Sequence, residues 1–285
     1  MKTSRRKSLL ISSVSMLLVA GVSLGTATFA WYTSSTSTTT SNLKFKTTKS
    51  STLQIGKSDA TTDADWKSDG LSYGLEAEKL LLPASSLVGS TTAGNWFTAH
   101  ANSTLDGTAK KGTVAALTAG NISNYVFMEQ LNIRNAGSAD VENVKIKFKL
   151  GADACYDYLR VAVVEAAGLG LGNADTGSFA NSVYAKDATG YNPISGIDQD
   201  GVADTDTAIT PIDASGEVEI PVGTLKAATE KANGDKEYTP KYYNLYIWFE
   251  GQDTDCVDAK AGAVIPDIVF TVEGETVTET EPQTP

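Results

Sequence analysis

The densest run of side chains able to do chemistry is Asp198-Gln199-Asp200-Gly201-Val202-Ala203-Asp204-Thr205-Asp206. Carboxylates at alternate positions around a glycine are hard oxygen donors, and a curl at Gly201 lets them converge on calcium. Asp198, Asp200, Asp204 and Asp206 are therefore candidate calcium ligands. An EF-hand loop would also need a carboxylate at 196 and a bidentate glutamate at 207. Gly196 and Thr207 stand there instead, so an exposed acidic turn is the competing reading. A second acidic run, Trp248-Phe249-Glu250-Gly251-Gln252-Asp253-Thr254-Asp255-Cys256, supplies Glu250, Asp253 and Asp255 as another cation site. The alternative is a structural corner, with Trp248 in the core, Gly251 at the bend and Cys256 held by Cys155.

Hydrolytic chemistry has few residues to work with. His100 is the only histidine, so a Ser-His-Asp or Cys-His arrangement would have to use it, and no G-x-S-x-G elbow occurs. A zinc peptidase of the usual kind needs two histidines at helical spacing with a glutamate base. Carboxylate pairs suit glycosidases, yet among 34 acidic residues no pair stands out from the solvated background. The expectation is a non-enzyme with no required cofactor other than candidate calcium.

The elements that would position any site begin with an export signal. Lys2, Arg5, Arg6 and Lys7 precede an apolar run from Leu9 to Leu24, and Thr28 and Ala30 occupy the minus-three and minus-one positions of a cut between Ala30 and Trp31. That layout is a secretory signal peptide, residues 1–30. Ser4-Arg5-Arg6-Lys7 also partly matches a twin-arginine signal, although Ser8 replaces the usual Phe. An uncleaved anchor across Leu9 to Trp31 is a third reading, weakened by Ser12, Ser13, Ser15 and Ser23. With cleavage, no stable membrane span is expected afterwards, because no other apolar run approaches the ~20 residues that cross a bilayer.

Net charge is −11, and loss of the four basic residues of the signal takes it to −15. So acidic a surface disfavours nucleic acid and anionic membranes and favours solubility and cation binding. Cys155 and Cys256 head for an oxidising exterior, where disulfides persist. A bridge between them would close a loop of about 100 residues, worth about 4–5 kcal/mol on the chain-entropy model. Two unpaired thiols are the alternative.

Residues 31–42 include nine Ser or Thr out of twelve and lead into Leu43-Lys44-Phe45-Lys46-Thr47, which alternates with period two. An extended, weakly apolar leader ahead of a strand suits a segment donated to a neighbouring molecule. Glu76 to Leu80 fits one or two helical turns before Pro83. Tyr125 to Ile133 and Val144 to Leu150 alternate on either side of Asn135-Ala136-Gly137-Ser138. They are expected to pair as an antiparallel hairpin with one solvated face, carrying Gln130, Asn132, Arg134 and three lysines. Leu159 to Val164, Glu217 to Val222, Tyr242 to Glu250 and Val264 to Val272 complete the strands. The expected fold is an all-β antiparallel sandwich, jelly-roll or immunoglobulin-like, with long loops. The expected organisation is signal 1–30, extended segment and donor strand 31–52, sandwich 53–273 and polar tail 274–285.

The junction Thr28-Phe29-Ala30-Trp31 resembles the T-[FW]-A-[aromatic] junction of the TasA/camelysin family. Asn135-Ala136-Gly137-Ser138 followed by Val141-Glu142-Asn143-Val144 resembles a stretch of the same family's domain. Those proteins are secreted bacterial surface and biofilm-matrix fibre components processed by a dedicated signal peptidase of the SipW type, and some members carry a metallopeptidase label. The resemblance implies donor-strand assembly with copies of itself or related fibre subunits. Trp31, Tyr32, Leu43 and Phe45 would then fill a neighbour's pockets. A different class of function is a monomeric cell-surface adhesin or ligand-binding sandwich, stabilised by calcium at the Asp198–Asp206 loop.

Overall fold

The computed structural model describes residues 42–48, 52–69, 71–74, 81–86, 91–92, 95–98, 116–150, 157–179, 182–186, 209–211, 217–250 and 268–277. In chain order the strands are β1 Asn42–Thr48, β2 Leu53–Gly56, β3 Leu71–Gly74, β4 Ala84–Ser85, β5 Phe97–Thr98 and β6 Val126–Asn135. They continue as β7 Val141–Lys149, β8 Leu159–Glu165, β9 Val183–Ala185, β10 Ile209–Pro211 and β11 Glu217–Leu225. The last are β12 Thr229–Glu230, β13 Lys236–Glu237, β14 Lys241–Phe249 and β15 Ile268–Thr276.

Two sheets face each other. The first runs β11-β7-β15-β1-β3 and the second β10-β9-β8-β14-β6-β2. Most neighbours are antiparallel; β1 with β15 and β9 with β10 are parallel. The fold is the expected all-β sandwich.

Strand periodicity decides which side chains meet between the sheets. From the first sheet come Val144, Ile146 and Phe148 of β7, Val218, Ile220 and Val222 of β11, and Ile268, Phe270 and Val272 of β15. Leu131 and Ile133 of β6, Val161 and Val163 of β8, and Tyr243, Leu245 and Ile247 of β14 meet them from the second. Phe148 and Phe270 lie side by side with ring centres 5.0 Å apart. The intervening lysines of β7 face outward, as their alternation requires.

The second sheet is buried on its other face as well. Trp96, Phe179, Tyr246 and Trp248 form an aromatic cluster there with Ala162, Val164 and Val183. Trp96 meets Trp248 edge-on at 5.2 Å. This second cover explains why Leu159–Val164 and the aromatic β14 read as continuous apolar runs rather than alternating ones. Beside the cluster the same face carries a buried polar network. The Asn244 amide donates to Asp175 at 2.8 Å, and the Gln130 amide donates to Asn244 at 3.1 Å. The Gly170 N–H donates to Gln130 at 2.8 Å, fastening the glycine-rich loop over the sheet.

Two sequence expectations are corrected. β6 and β7 do not form a hairpin: β6 pairs with β14 and β2, whereas β7 pairs with β11 and β15 in the opposite sheet. The Asn135–Asp140 turn carries the chain across the sandwich, and each strand pairs with strands remote in sequence. Nor is the polar face of β6 solvated; Gln130, Asn132 and Arg134 are buried beneath the loops they bind. β1 is an internal strand of the first sheet, and β15, the last described strand, runs to Thr276. No helix among the described residues is long and apolar enough to cross a membrane.

Candidate assembly site

β1 occupies a slot between β15 and β3. It pairs in parallel with β15 from Leu43 opposite Ile268 to Thr48 opposite Glu273, with Phe45 opposite Phe270. On its other edge it pairs antiparallel with β3, Asn42 with Gly74 through Phe45 with Leu71. Positions 43, 45 and 47 thus share a face with Ile268, Phe270 and Val272, which are wholly buried. Positions 44 and 46 share the opposite face with Val269 and Thr271.

β3 has no sheet partner other than β1 among the described strands. If β1 leaves, β15 therefore becomes a sheet edge, and one flank of Ile268, Phe270 and Val272 loses its cover. An uncovered strand edge with an apolar inner face is a template for another strand. The slot accepts a strand running parallel to β15 with apolar residues at alternate positions.

The segment 49–52 joins β1 to β2 in the other sheet, and its far end is pinned. Ala136 N–H donates to the Thr52 carbonyl at 2.9 Å. Gly137 lies so close that a Cβ there would sit 2.7 Å from Thr52 Cγ2, which is why glycine is required. Asn135, almost wholly buried, organises this corner. Its side-chain oxygen accepts from Gly137 N–H at 2.9 Å, and its amide donates to the Ala139 carbonyl at 2.8 Å and the Leu225 carbonyl at 3.3 Å. Asn135-Ala136-Gly137-Ser138 thus anchors the foot of the segment from which β1 departs. Sequence reasoning read it as a turn and missed the anchoring, because the partner Thr52 is remote in sequence.

Across the outer face of the first sheet, charges alternate by strand. Lys147 pairs with Glu273 at 2.9 Å and with Glu217 at 3.4 Å, and also contacts Glu219; Lys145 reaches Glu219 at 2.7 Å. Hydrogen bonds from Lys145 and Lys147 hold the Glu219 carboxyl down at about 2. The ladder reaches the slot at Glu273, opposite position 48. Across the β6–β2 corner, Arg134 stacks between Trp66, 4.5 Å away, and Tyr238, 3.8 Å away. It also donates to Gln54 and Asp63, each at 2.8 Å, and so fixes β2 against β6.

Of the residues singled out from sequence, Leu43 and Phe45 fall in β1, at register positions facing the core side of β15. Ala30, Trp31, Tyr32, His100, Cys155 and Cys256 lie outside the described residues, as do Asp198, Asp200, Asp204 and Asp206 of the candidate calcium loop. Asp253, Asp255 and the 76–80 segment also lie outside them. Glu250 is buried and accepts from the Trp248 indole N–H at 3.0 Å. Among the described residues no three His, Cys, Asp or Glu side chains come together as a metal site. No protein-family model and no curated protein matches the chain.

Proposed function

We propose that this chain is a secreted, non-enzymatic structural protein of cell-surface fibres or biofilm matrix that assembles by strand donation. The observation that carries the reading is the position of β1. β1 fills a slot between β15, to which it runs parallel, and β3, to which it runs antiparallel, and leads into β2 through the 49–52 segment. A strand so placed can be exchanged for the same strand of another copy at unchanged register, conserving every main-chain hydrogen bond. The swap is head-to-tail and does not close, so it propagates as a filament. The junction at Ala30 and Trp31 supplies the trigger: cutting there by a SipW-type peptidase frees the strand's leading end from the membrane. Pro221 on β11 and Pro211 on β10 suit sheet edges that resist further pairing.

Electron microscopy of the extracellular protein tests this reading. Chains beginning at Trp31 are expected to form filaments, and chains beginning at Lys49 are expected to form none. Single particles at every concentration of the Trp31 form would overturn assembly and favour a monomeric adhesin.

A further inference from the structure

The second sheet is buried on both faces, but the outer face of the first leaves Glu217, Glu219, Lys149 and Val269 exposed. Register sorts the charges of that face into rows running across β11, β7, β15 and β1. One row is Glu217, Lys149, Val269 and position 44, a lysine. The next is Glu219, Lys147, Thr271 and position 46, also a lysine. A third is Pro221, Lys145, Glu273 and position 48, a threonine. The first two rows thus start acidic at β11 and end basic at β1, and the third carries its opposite charges on the two middle strands.

A two-fold axis lying along the strands between β7 and β15 lays β11 of one copy over β1 of a second and β7 over β15, with every row kept at its own level. Glu217 and Glu219 then face positions 44 and 46 of the second copy, and Lys145 faces its Glu273. Lys149 and Lys147 face the uncharged Val269 and Thr271. No like charges meet in these three rows; Glu142 and Glu275, opposite one another at the bulged end of the face, are the exception. We infer that the outer face of the first sheet is a self-complementary docking surface on which a second copy of this chain pairs about that axis. Stacked sheets cross at about 30°, an offset that the four-carbon stem of lysine spans. A face four strands wide at about 4.8 Å and about nine residues long at about 3.3 Å removes on the order of 1,000 Å2 from water when two copies meet, the lower limit for a specific interface. Lys145 is already held by Glu219 at 2.7 Å and Lys147 by Glu273 at 2.9 Å, so little side-chain freedom is lost on pairing. This pairing is ionic and face to face, whereas strand donation is carried by main-chain hydrogen bonds within a sheet, so neither rests on the other.

Sedimentation velocity of the chain starting at Trp31, in about 0.01 M and about 1 M salt, is the test, because the screening length falls from about 30 to about 3 Å between them. Pairs are expected at low salt, with an affinity about tenfold or more lower at high salt. Lys145→Glu alone and Glu273→Lys alone should each abolish pairing, since each sets like charges opposite one another twice across the axis. Mixed in equal amounts the two variants should pair again, because the carboxylate introduced at 145 then meets the ammonium introduced at 273. Glu217→Lys, at an exposed edge position, should also weaken pairing and keeps the test open if either of the others fails to fold. A mixture that pairs no better than its components would overturn the docking surface, as would pairing of equal strength at both salts or single chains at low salt. Filaments of single width at low salt, seen by electron microscopy, would overturn it too and leave strand donation standing. Salt-sensitive pairs without filaments would support it and count against donation.

Discussion

Replacing Asn135 with Ala tests whether the crossing turn is held by one buried amide. The side chain is 2% exposed and makes three hydrogen bonds, to Gly137 N–H and to the carbonyls of Ala139 and Leu225. Each such bond contributes about 1 kcal/mol net, and a buried group left without a partner costs about 1–3 kcal/mol. The 3.3 Å contact is weak, and carbonyls keep a second lone pair, so the lower end applies to two of the three. The variant is expected to lose about 2–4 kcal/mol, a large share of the ~5–15 kcal/mol typical of a domain. Urea unfolding should show a lower midpoint at unchanged slope. Hydrogen exchange should accelerate at Ala136, whose N–H bonds Thr52. A loss below about 1 kcal/mol, with Ala136 protected as before, would refute the claim that Asn135 organises the corner.

Four other outcomes follow from the geometry. Burial raises the Glu129 carboxyl above its ordinary value, and its Oε2 has no hydrogen-bond partner. The folded state thus holds this proton more tightly than the unfolded chain, and the associated stability is lost as pH rises through the raised value. Glu129→Gln should therefore gain stability over the native chain at pH 7 and lose that advantage near pH 4, read by urea midpoints. Arg134→Lys should cost about 1–3 kcal/mol by thermal melting, because an ammonium cannot reproduce the stack on Trp66 and Tyr238 together with the bonds to Gln54 and Asp63. Lys147→Met should change stability by no more than about 1 kcal/mol, with the difference shrinking in salt, since its carboxylate partners on β11 are exposed. Gly274→Ala should cost about 1–3 kcal/mol by urea unfolding, as its Cβ would sit 2.6 Å from Val141 Cγ1 at the bulge where β15 bends over β7.

Alternation made β7, β11 and the Leu43–Thr47 strand legible, because one face of each is apolar and one is polar. It could not choose partners. β6 and β7 flank a good turn sequence and pattern well as a hairpin, yet β6 pairs with the aromatic β14, and β7 with β11 and β15. Gln130, Asn132 and Arg134 look solvated in sequence because their partners, Gly168, Lys57 and Asp63 in connecting segments and Gln54 in the short β2, are remote in sequence. The apolar half of the assembly slot was visible as a final strand near Val272. Its adjacency to β1 was not, since a parallel pairing between the two ends of a chain leaves no local signal.

The most direct measurement of strand donation is a cysteine pair across the slot. Lys44 of β1 lies opposite Val269 of β15, and adjacent strands are about 4.8 Å apart, within disulfide range. Lys44→Cys and Val269→Cys would be placed in a chain starting at Trp31, with Cys155 and Cys256 replaced by Ser. Oxidised filaments should run as a ladder of covalent multimers on non-reducing gels, while monomers oxidised before assembly should run as single chains. Filaments that yield only single chains with an internal bridge would show that β1 never leaves its own sheet, and would contradict the account.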